Sequence, residues 1–146
     1  MNCFVLQNIK MKKTIEKENY LKAFYKLEEK NNEISVTALS KYFKVSKSTV
    51  SNMIKKLVKM GFVETEPYKE ILLTDAGKKK AVEIISKHRL IELYLVNKMN
   101  FELDEVHEIA EEIEHIENSA FFNRMREILG DANLDPHGSI IPKTKY

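Results

Sequence analysis

The chain has 146 residues, 43% hydrophobic and 32% charged, with four glycines and three prolines; this fits a helix-rich domain or a small module with a helical extension and excludes a disordered or collagen-like chain. No apolar run approaches the ~18 residues that span a bilayer and no secretory leader opens the chain, so a cytoplasmic protein with no membrane partner is expected; the lone Cys3 excludes an intrachain disulfide and a thiolate zinc site. The formal net charge of +2 hides a gradient, because residues 1–60 hold 13 lysines against five acids while residues 91–146 hold five basic groups against 12 acids, so the front suits a polyanion and the back suits cations.

Met11-Lys12-Lys13 either begin the chain proper or end a disordered basic arm over residues 1–13, which is set outside the fold. From Thr14 to Lys30, the residues Ile15, Tyr20, Leu21, Phe24 and Leu27 recur at helical spacing, and Asn31-Asn32 ends the run. Val36, Leu39 and Phe43 line a short second helix that Ser35 or Thr37 caps, and Lys44-Val45 forms a tight link. A third helix starts on Ser46 as its cap, turns Val50, Ile54, Leu57 and Val58 inward, and stops at Gly61. Residues 62–65 and 70–74 read as strands around the turn Glu66-Pro67-Tyr68-Lys69, a hairpin wing. Thr74 then caps a long helix to about Met99, Asp104 caps another to about Glu117, and Asn118 or Ser119 opens a last one closed by Gly130. Asp135-Pro136 and Ile141-Pro142 are turn signals in the tail.

Two short helices with a tight link followed by a hairpin make a winged helix-turn-helix, whose second short helix enters the major groove of DNA. Its outward residues should be small, polar or basic. Ser46, Lys47, Ser48, Thr49, Ser51, Asn52, Lys55 and Lys56 fit: hydroxyls and Asn reach base edges or phosphates, and lysines neutralise the backbone. Helix capping and a solvated lysine face would use the same residues, and it is their agreement with helix order, wing and charge that favours DNA.

On the fourth helix His88 and Glu92 stand one turn apart at i, i+4. On the fifth, His107, Glu111, Glu114 and His115 share a sector roughly 100° wide, bordering the apolar stripe of Val106, Ile109, Ala110 and Ile113, while Glu105, Glu108 and Glu112 point elsewhere. Half-buried carboxylates and imidazoles cost free energy unless paired or coordinated, so a cation between the two helices is expected. Imidazole and carboxylate without thiolate suit Mn(II), Fe(II), Co(II) or Zn(II).

The segments Lys87-His88-Arg89-Leu90-Ile91-Glu92, Val106-His107-Glu108, Glu111-Glu112-Ile113-Glu114-His115 and Asp135-Pro136-His137-Gly138-Ser139-Ile140-Ile141-Pro142 resemble the diphtheria toxin repressor family of iron- and manganese-dependent regulators, over about residues 14 to 142. The stretch Val45-Ser46-Lys47-Ser48-Thr49-Val50-Ser51-Asn52 is similar to that family's recognition helix. The resemblance implies one metal site from His88, Glu92 and His107 and a second from Asn19 with Glu111, Glu114 and His115. It also implies a homodimer on a pseudo-palindromic double-stranded DNA operator, with Fe(II) or Mn(II) as activating ion and Zn(II) or Co(II) as substitutes. Asn19 stands where iron-type members carry Met and manganese-type members Asp; Lys22 replaces a manganese-type carboxylate, whereas Glu111 is manganese-like. The SH3-like third domain of longer members is expected to be absent.

The expected architecture is therefore mainly α: a winged helix-turn-helix DNA-binding domain over residues 14–75, then an all-helical metal-binding and dimerisation domain over residues 76–146. Phe121, Phe122, Met125, Ile128 and Leu129 of the last helix would form the dimer seam, although a monomer core would use the same residues. Metal joining helices one, four and five would fix the spacing of two DNA-reading heads. Two other readings stand beside this one: a winged helix sensing an organic molecule, and a di-iron carboxylate enzyme built on Glu112-Ile113-Glu114-His115. The second lacks its second Glu-x-x-His, and without a phosphate loop or nucleophile arrangement a non-enzyme is expected.

Overall fold

The computed structural model describes residues 3–30, 32–66 and 70–146, with side chains from residue 11 onward apart from Lys13. Its elements run α1 (Cys3–Glu29), α2 (Val36–Phe43), α3 (Lys47–Lys59), β1 (Val63–Thr65), β2 (Ile71–Leu73), α4 (Asp75–Met99), α5 (Val106–Ile113) and α6 (Ser119–Leu129). Two compact units result, residues 1–81 and 82–146, and the boundary falls inside α4, past the expected domain end at residue 75.

In the first unit, residues 3–13 are helical, which corrects the expected basic arm. No glycine or proline interrupts 3–29, so a helix nucleated farther on propagates back through them. Tyr20, Leu21 and Phe24 are buried, Ile15 and Leu27 half-buried, and Tyr20 stacks on Phe43 with ring centroids 4.3 Å apart. Ser35, not Thr37, caps α2 by accepting from Ala38 N–H at 3.1 Å. Lys44 makes the tight link in the left-handed region, φ 54°, with Val45 N–H donating to Ser40 O. Ser46 caps α3, and Gly61 at φ 76° ends it: Phe62 N–H bonds Leu57 O and Gly61 N–H bonds Val58 O, satisfying the last turn.

Val50, Ile54 and Leu57 face inward as expected, but Val58 is 39% exposed and Met53, one turn from both Val50 and Leu57, is buried in its stead. The wing pairs Val63 with Leu73 and Thr65 with Ile71, antiparallel, and buries Val63, Ile71 and Leu73 while Leu72 points out. The turn at 67–69 and Asn31 lie outside the described residues. Thr74 closes the wing onto α4, accepting from Gly77 N–H at 3.1 Å and donating to Gly61 O at 2.6 Å. Gly77 is required there, since a Cβ would lie 1.9 Å from the Phe62 carbonyl oxygen.

In the second unit, Leu90, Ile91 and Leu95 of α4, Val106 and Ala110 of α5, and Phe122 and Met125 of α6 form one core. Asp104 does not cap α5: Glu105 holds the cap position with no side-chain bond into the helix, and its carboxylate accepts instead from Glu102 N–H at 2.9 Å. The helix stops at Ile113, not Glu117. Glu114 N–H still bonds Ala110 O, so the ligand sector survives, and Ile116 N–H closes a tighter turn on Ile113 O. Lys87, 5% exposed, meets that helix end by donating to Ile116 O at 3.1 Å, pairs with Glu83 at 2.9 Å and lies 4.8 Å above the Phe122 ring. Asn118 caps α6, accepting from Phe121 N–H, and Gly130 ends it at φ 64°.

The expected dimer seam is thereby divided. Phe122 and Met125 are buried and Leu129 packs against them inside this unit, leaving Phe121 at 43% and Ile128 at 45% exposure. The i, i+3 step from 122 to 125 faces the core; 121 and 128, two turns apart, share the flank beside it.

Candidate DNA-reading surface and metal centre

The first unit presents the outer face of α3. Ser46, Lys47, Ser48, Thr49, Asn52, Lys55 and Lys56 are exposed and Ser51 is half-buried. Ser46 Oγ accepts from Thr49 N–H at 3.1 Å and lies 2.8 Å from both Ser48 Oγ and Thr49 Oγ1, so three hydroxyls gather at the helix start. Apart from Lys47 the outward side chains of this first turn are small, which lets the backbone approach a groove floor. The helix exposes positive charge, whereas Glu64, Glu66 and Glu70 of the described wing residues are exposed acids. Asn19, assigned to the second metal set by resemblance, is also in this unit; its Oδ1 is enclosed with no hydrogen-bond partner among the described residues.

The second unit brings six carboxylate or imidazole groups of α4, α5 and the turn after α5 together. Glu92 Oε1 lies 3.0 Å from His88 Nε2 and 3.2 Å from His107 Nδ1, and those two nitrogens are 3.2 Å apart, so three donor atoms converge. The other ring nitrogen of His88, Nδ1, is 2.5 Å from Glu114 Oε2. His115 Nε2 is 3.4 Å from Glu114 Oε1, and Glu111 is 3.6 Å from His107 Nε2. Ligand atoms of His88, Glu92 and His107 fit within 4.8 Å of one another, as do those of His88, Glu111 and Glu114. His88 thus stands between the two expected sets.

Burial sharpens the electrostatics: Glu114 is 1%, Glu92 2% and His88 3% exposed. Burial opposes charge on His88, but hydrogen bonds to Glu114 and Glu92 and their negative charge outweigh it and raise its pKa above the usual 6.5. Burial likewise opposes ionisation of Glu92, yet hydrogen bonds from His88 and His107 and the charge of His137 hold it down at about 2. The donor set fits a divalent cation. A metal-ligating histidine commonly offers one nitrogen to the ion and gives the other N–H to a carboxylate, and His88 has its Nε2 on the Glu92–His107 side and its Nδ1 on Glu114.

The structure adds two residues of the tail to the cluster. Asp135 and His137 come from the tail, with His137 Nδ1 3.4 Å from Glu92 Oε2, and Glu92, Asp135 and His137 form a third group of potential ligand atoms within 4.8 Å. The available signal was the segment Asp135–Pro142 itself, which carries part of the family resemblance but has no helical spacing that ties it to the ligand sector.

Residues 12–71 match the iron dependent repressor N-terminal DNA binding domain, and residues 74–143 match the iron dependent repressor metal binding and dimerisation domain. The chain belongs to the iron-dependent repressor family. A helix-turn-helix transcriptional regulator of Methanocaldococcus jannaschii is 34% identical over 75% of this chain and 88% of its own length. The diphtheria toxin repressor of Corynebacterium glutamicum is 29% identical over 86% of this chain and 55% of its own length. The solved structure of the manganese regulator SloR superposes with a TM-score of 0.78 at 38% identity, over 89% of this chain and 60% of that one. This chain therefore spans a little over half the length of the curated diphtheria toxin repressors. Like other iron-dependent repressors it has a DNA-binding module followed by a helical metal-binding and dimerisation module, and the two curated relatives above are transcriptional regulators, not enzymes.

Proposed function

We propose that this chain is a cytoplasmic, homodimeric repressor that grips a pseudo-palindromic operator through α3 when a divalent metal, Fe(II) or Mn(II), occupies the His88–Glu92–His107 cluster. The observation carrying this reading is the convergence of His88 Nε2, Glu92 Oε1 and His107 Nδ1 in a largely buried setting. Glu111, Glu114 and His115 form the adjoining set, with Glu114 also orienting the His88 ring. When bound, the ion supplies the positive charge that lets these carboxylates share one site. Without it, Glu92, Glu111 and Glu114 repel one another, and the carboxylates beside His88 favour its protonated form over the ligating one.

Ser48, Thr49, Ser51 and Asn52 meet base edges; Lys47 and Lys55 neutralise phosphates, and Ser46 fixes the helix start. Phe121 and Ile128 are the apolar residues α6 leaves for the partner subunit. Charge density and the lack of an apolar span support a DNA partner over a membrane, since no described helix is long and apolar enough to cross a bilayer. The test is duplex affinity measured against titrated Fe(II), Mn(II), Zn(II) and Co(II) at fixed salt, for the wild type and for Glu114→Ala and His115→Ala. Metal should tighten DNA binding of the wild type, with a coupling on the order of 1 to 3 kcal/mol, and the two variants should lose most of it. A flat titration in the wild type would instead indicate an organic effector.

A further inference from the structure

Two of the ligand-type residues lie just past the end of a short helix. Helix α5 covers Val106–Ile113, has no side-chain cap at its start, and gives way after Glu114 to one tighter turn, closed by Ile116 N–H on Ile113 O at 3.0 Å. Glu114, 1% exposed, and His115, whose side chain is 7% exposed, therefore sit where regular helical bonding no longer fixes the backbone. A side chain of α4 holds the far end of that turn. Lys87 Nζ donates to Ile116 O at 3.1 Å, pairs at 2.9 Å with Glu83 Oε1, one turn back on its own helix, and lies 4.8 Å above the Phe122 ring. His88, the next residue of α4, meets the same turn through the Glu114 carboxylate, with Nδ1 2.5 Å from Oε2. Adjacent residues of one helix thus grip the backbone and the carboxylate of the ligand-bearing turn.

A lysine at 5% exposure is costly, since an apolar side chain of similar length would fill the same space without the desolvation penalty. Stability gains little from it. Glu83 keeps 28% of its side chain exposed and Ile116 is 41% exposed, so water can reach both groups that Lys87 binds. Water satisfies a carbonyl without fixing where it stands, whereas an ammonium bound at once to a carbonyl, a carboxylate and a ring holds it in place. Ligand atoms tolerate only about 0.5 Å of displacement before a metal site loosens. We propose that Lys87 is a positioning residue that pins the turn after α5 through Ile116 O, and so holds Glu114 and His115 in place for a cation that it does not itself touch. The proposal rests on the reading of Glu114 and His115 as metal-holding residues.

The test is a Co(II) titration of the full chain, following the visible absorption of the bound ion and the affinity by competition with a chelator, alongside thermal unfolding without metal. The proteins compared are the wild type, Lys87→Met, Lys87→Arg, His115→Ala and the Lys87→Met/His115→Ala double variant. Methionine keeps an apolar stem over Phe122 and removes the donor; arginine keeps a charged donor. Lys87→Met should melt within about 4 °C of the wild type. It should nevertheless bind Co(II) about 10-fold more weakly and with an altered visible spectrum, and Lys87→Arg should recover most of the affinity. In the His115→Ala background the further loss from Lys87→Met should shrink to about twofold, because the lysine acts through that turn. Fully additive losses, a Lys87→Arg variant as weak as Lys87→Met, or a Lys87→Met chain with no melting transition would make the lysine a purely structural residue and overturn the proposal. If Lys87→Met binds as tightly as the wild type while His115→Ala does not, the metal site stands and the positioning role falls. If the wild type itself binds no Co(II), both fall.

Discussion

Glu92 carries more of the site than its single position in the sequence suggests, because one oxygen faces two imidazoles and the other faces a third. Its carboxyl, held at about 2, stays ionised throughout the working range and so adds nothing to the pH dependence of metal binding there, whereas His88 contributes to it. Burial works against the protonated ring, but Glu114 and Glu92 raise its pKa, and a raised pKa means that ligation displaces a proton even at and above pH 6.5. Metal affinity should therefore climb as pH rises through the region above 6.5, which calorimetry in buffers of different ionisation enthalpy would show as proton release. Gly77 is a second residue with an outsized effect. Gly77→Ala forces a Cβ against the Phe62 carbonyl and should destabilise the first unit by about 1 to 3 kcal/mol in urea unfolding, despite the helix propensity alanine adds.

Among the elements, α6 shows how one amphipathic helix serves two surfaces. Phe122 is fully buried and Phe121 is 43% exposed, although they are neighbours with ring centroids 5.1 Å apart. Phe122→Ala should cost about 3 to 5 kcal/mol of stability. Phe121→Ala should leave the melting temperature nearly unchanged and shift sedimentation toward the monomer. Equal losses of stability in both variants would place Phe121 in the monomer core. Helix α5 teaches the complementary lesson: its sector of ligands was legible from i, i+4, i+7, i+8 spacing, but its end was not, since Ile113 stops the helix without a glycine signal and Lys87, from another element, receives the freed carbonyl of Ile116.

For the whole molecule, the proposed regulation carries a thermodynamic constraint. If metal tightens DNA binding by a given factor, DNA must tighten metal binding by the same factor, whatever the intervening route. Electrostatics enters separately. Lys47→Ala or Lys55→Ala should weaken duplex binding at low salt and reduce the slope of log affinity against log salt by about 1 each, with Co(II) affinity unchanged, as read by fluorescence anisotropy over a salt series. Among the described wing residues Glu64, Glu66 and Glu70 are exposed acids, which would oppose this term.

Periodicity, caps and turn residues were enough to place α2, α3, the wing and the long α4, because Ser35, Ser46, Thr74, Asn118 and Gly61 act on backbone groups within a few residues of themselves. The same local information delivered His88, Glu92, His107, Glu111, Glu114 and His115, since helical spacing fixes which side chains share a face. It could not choose between Val58 and Met53, divide Phe121 from Phe122, or bring His137 to Glu92 across 45 positions of chain. Those outcomes depend on which surface another element covers and on a tail loop held by Arg89 at Ile140 O, and only packing among distant segments decides them.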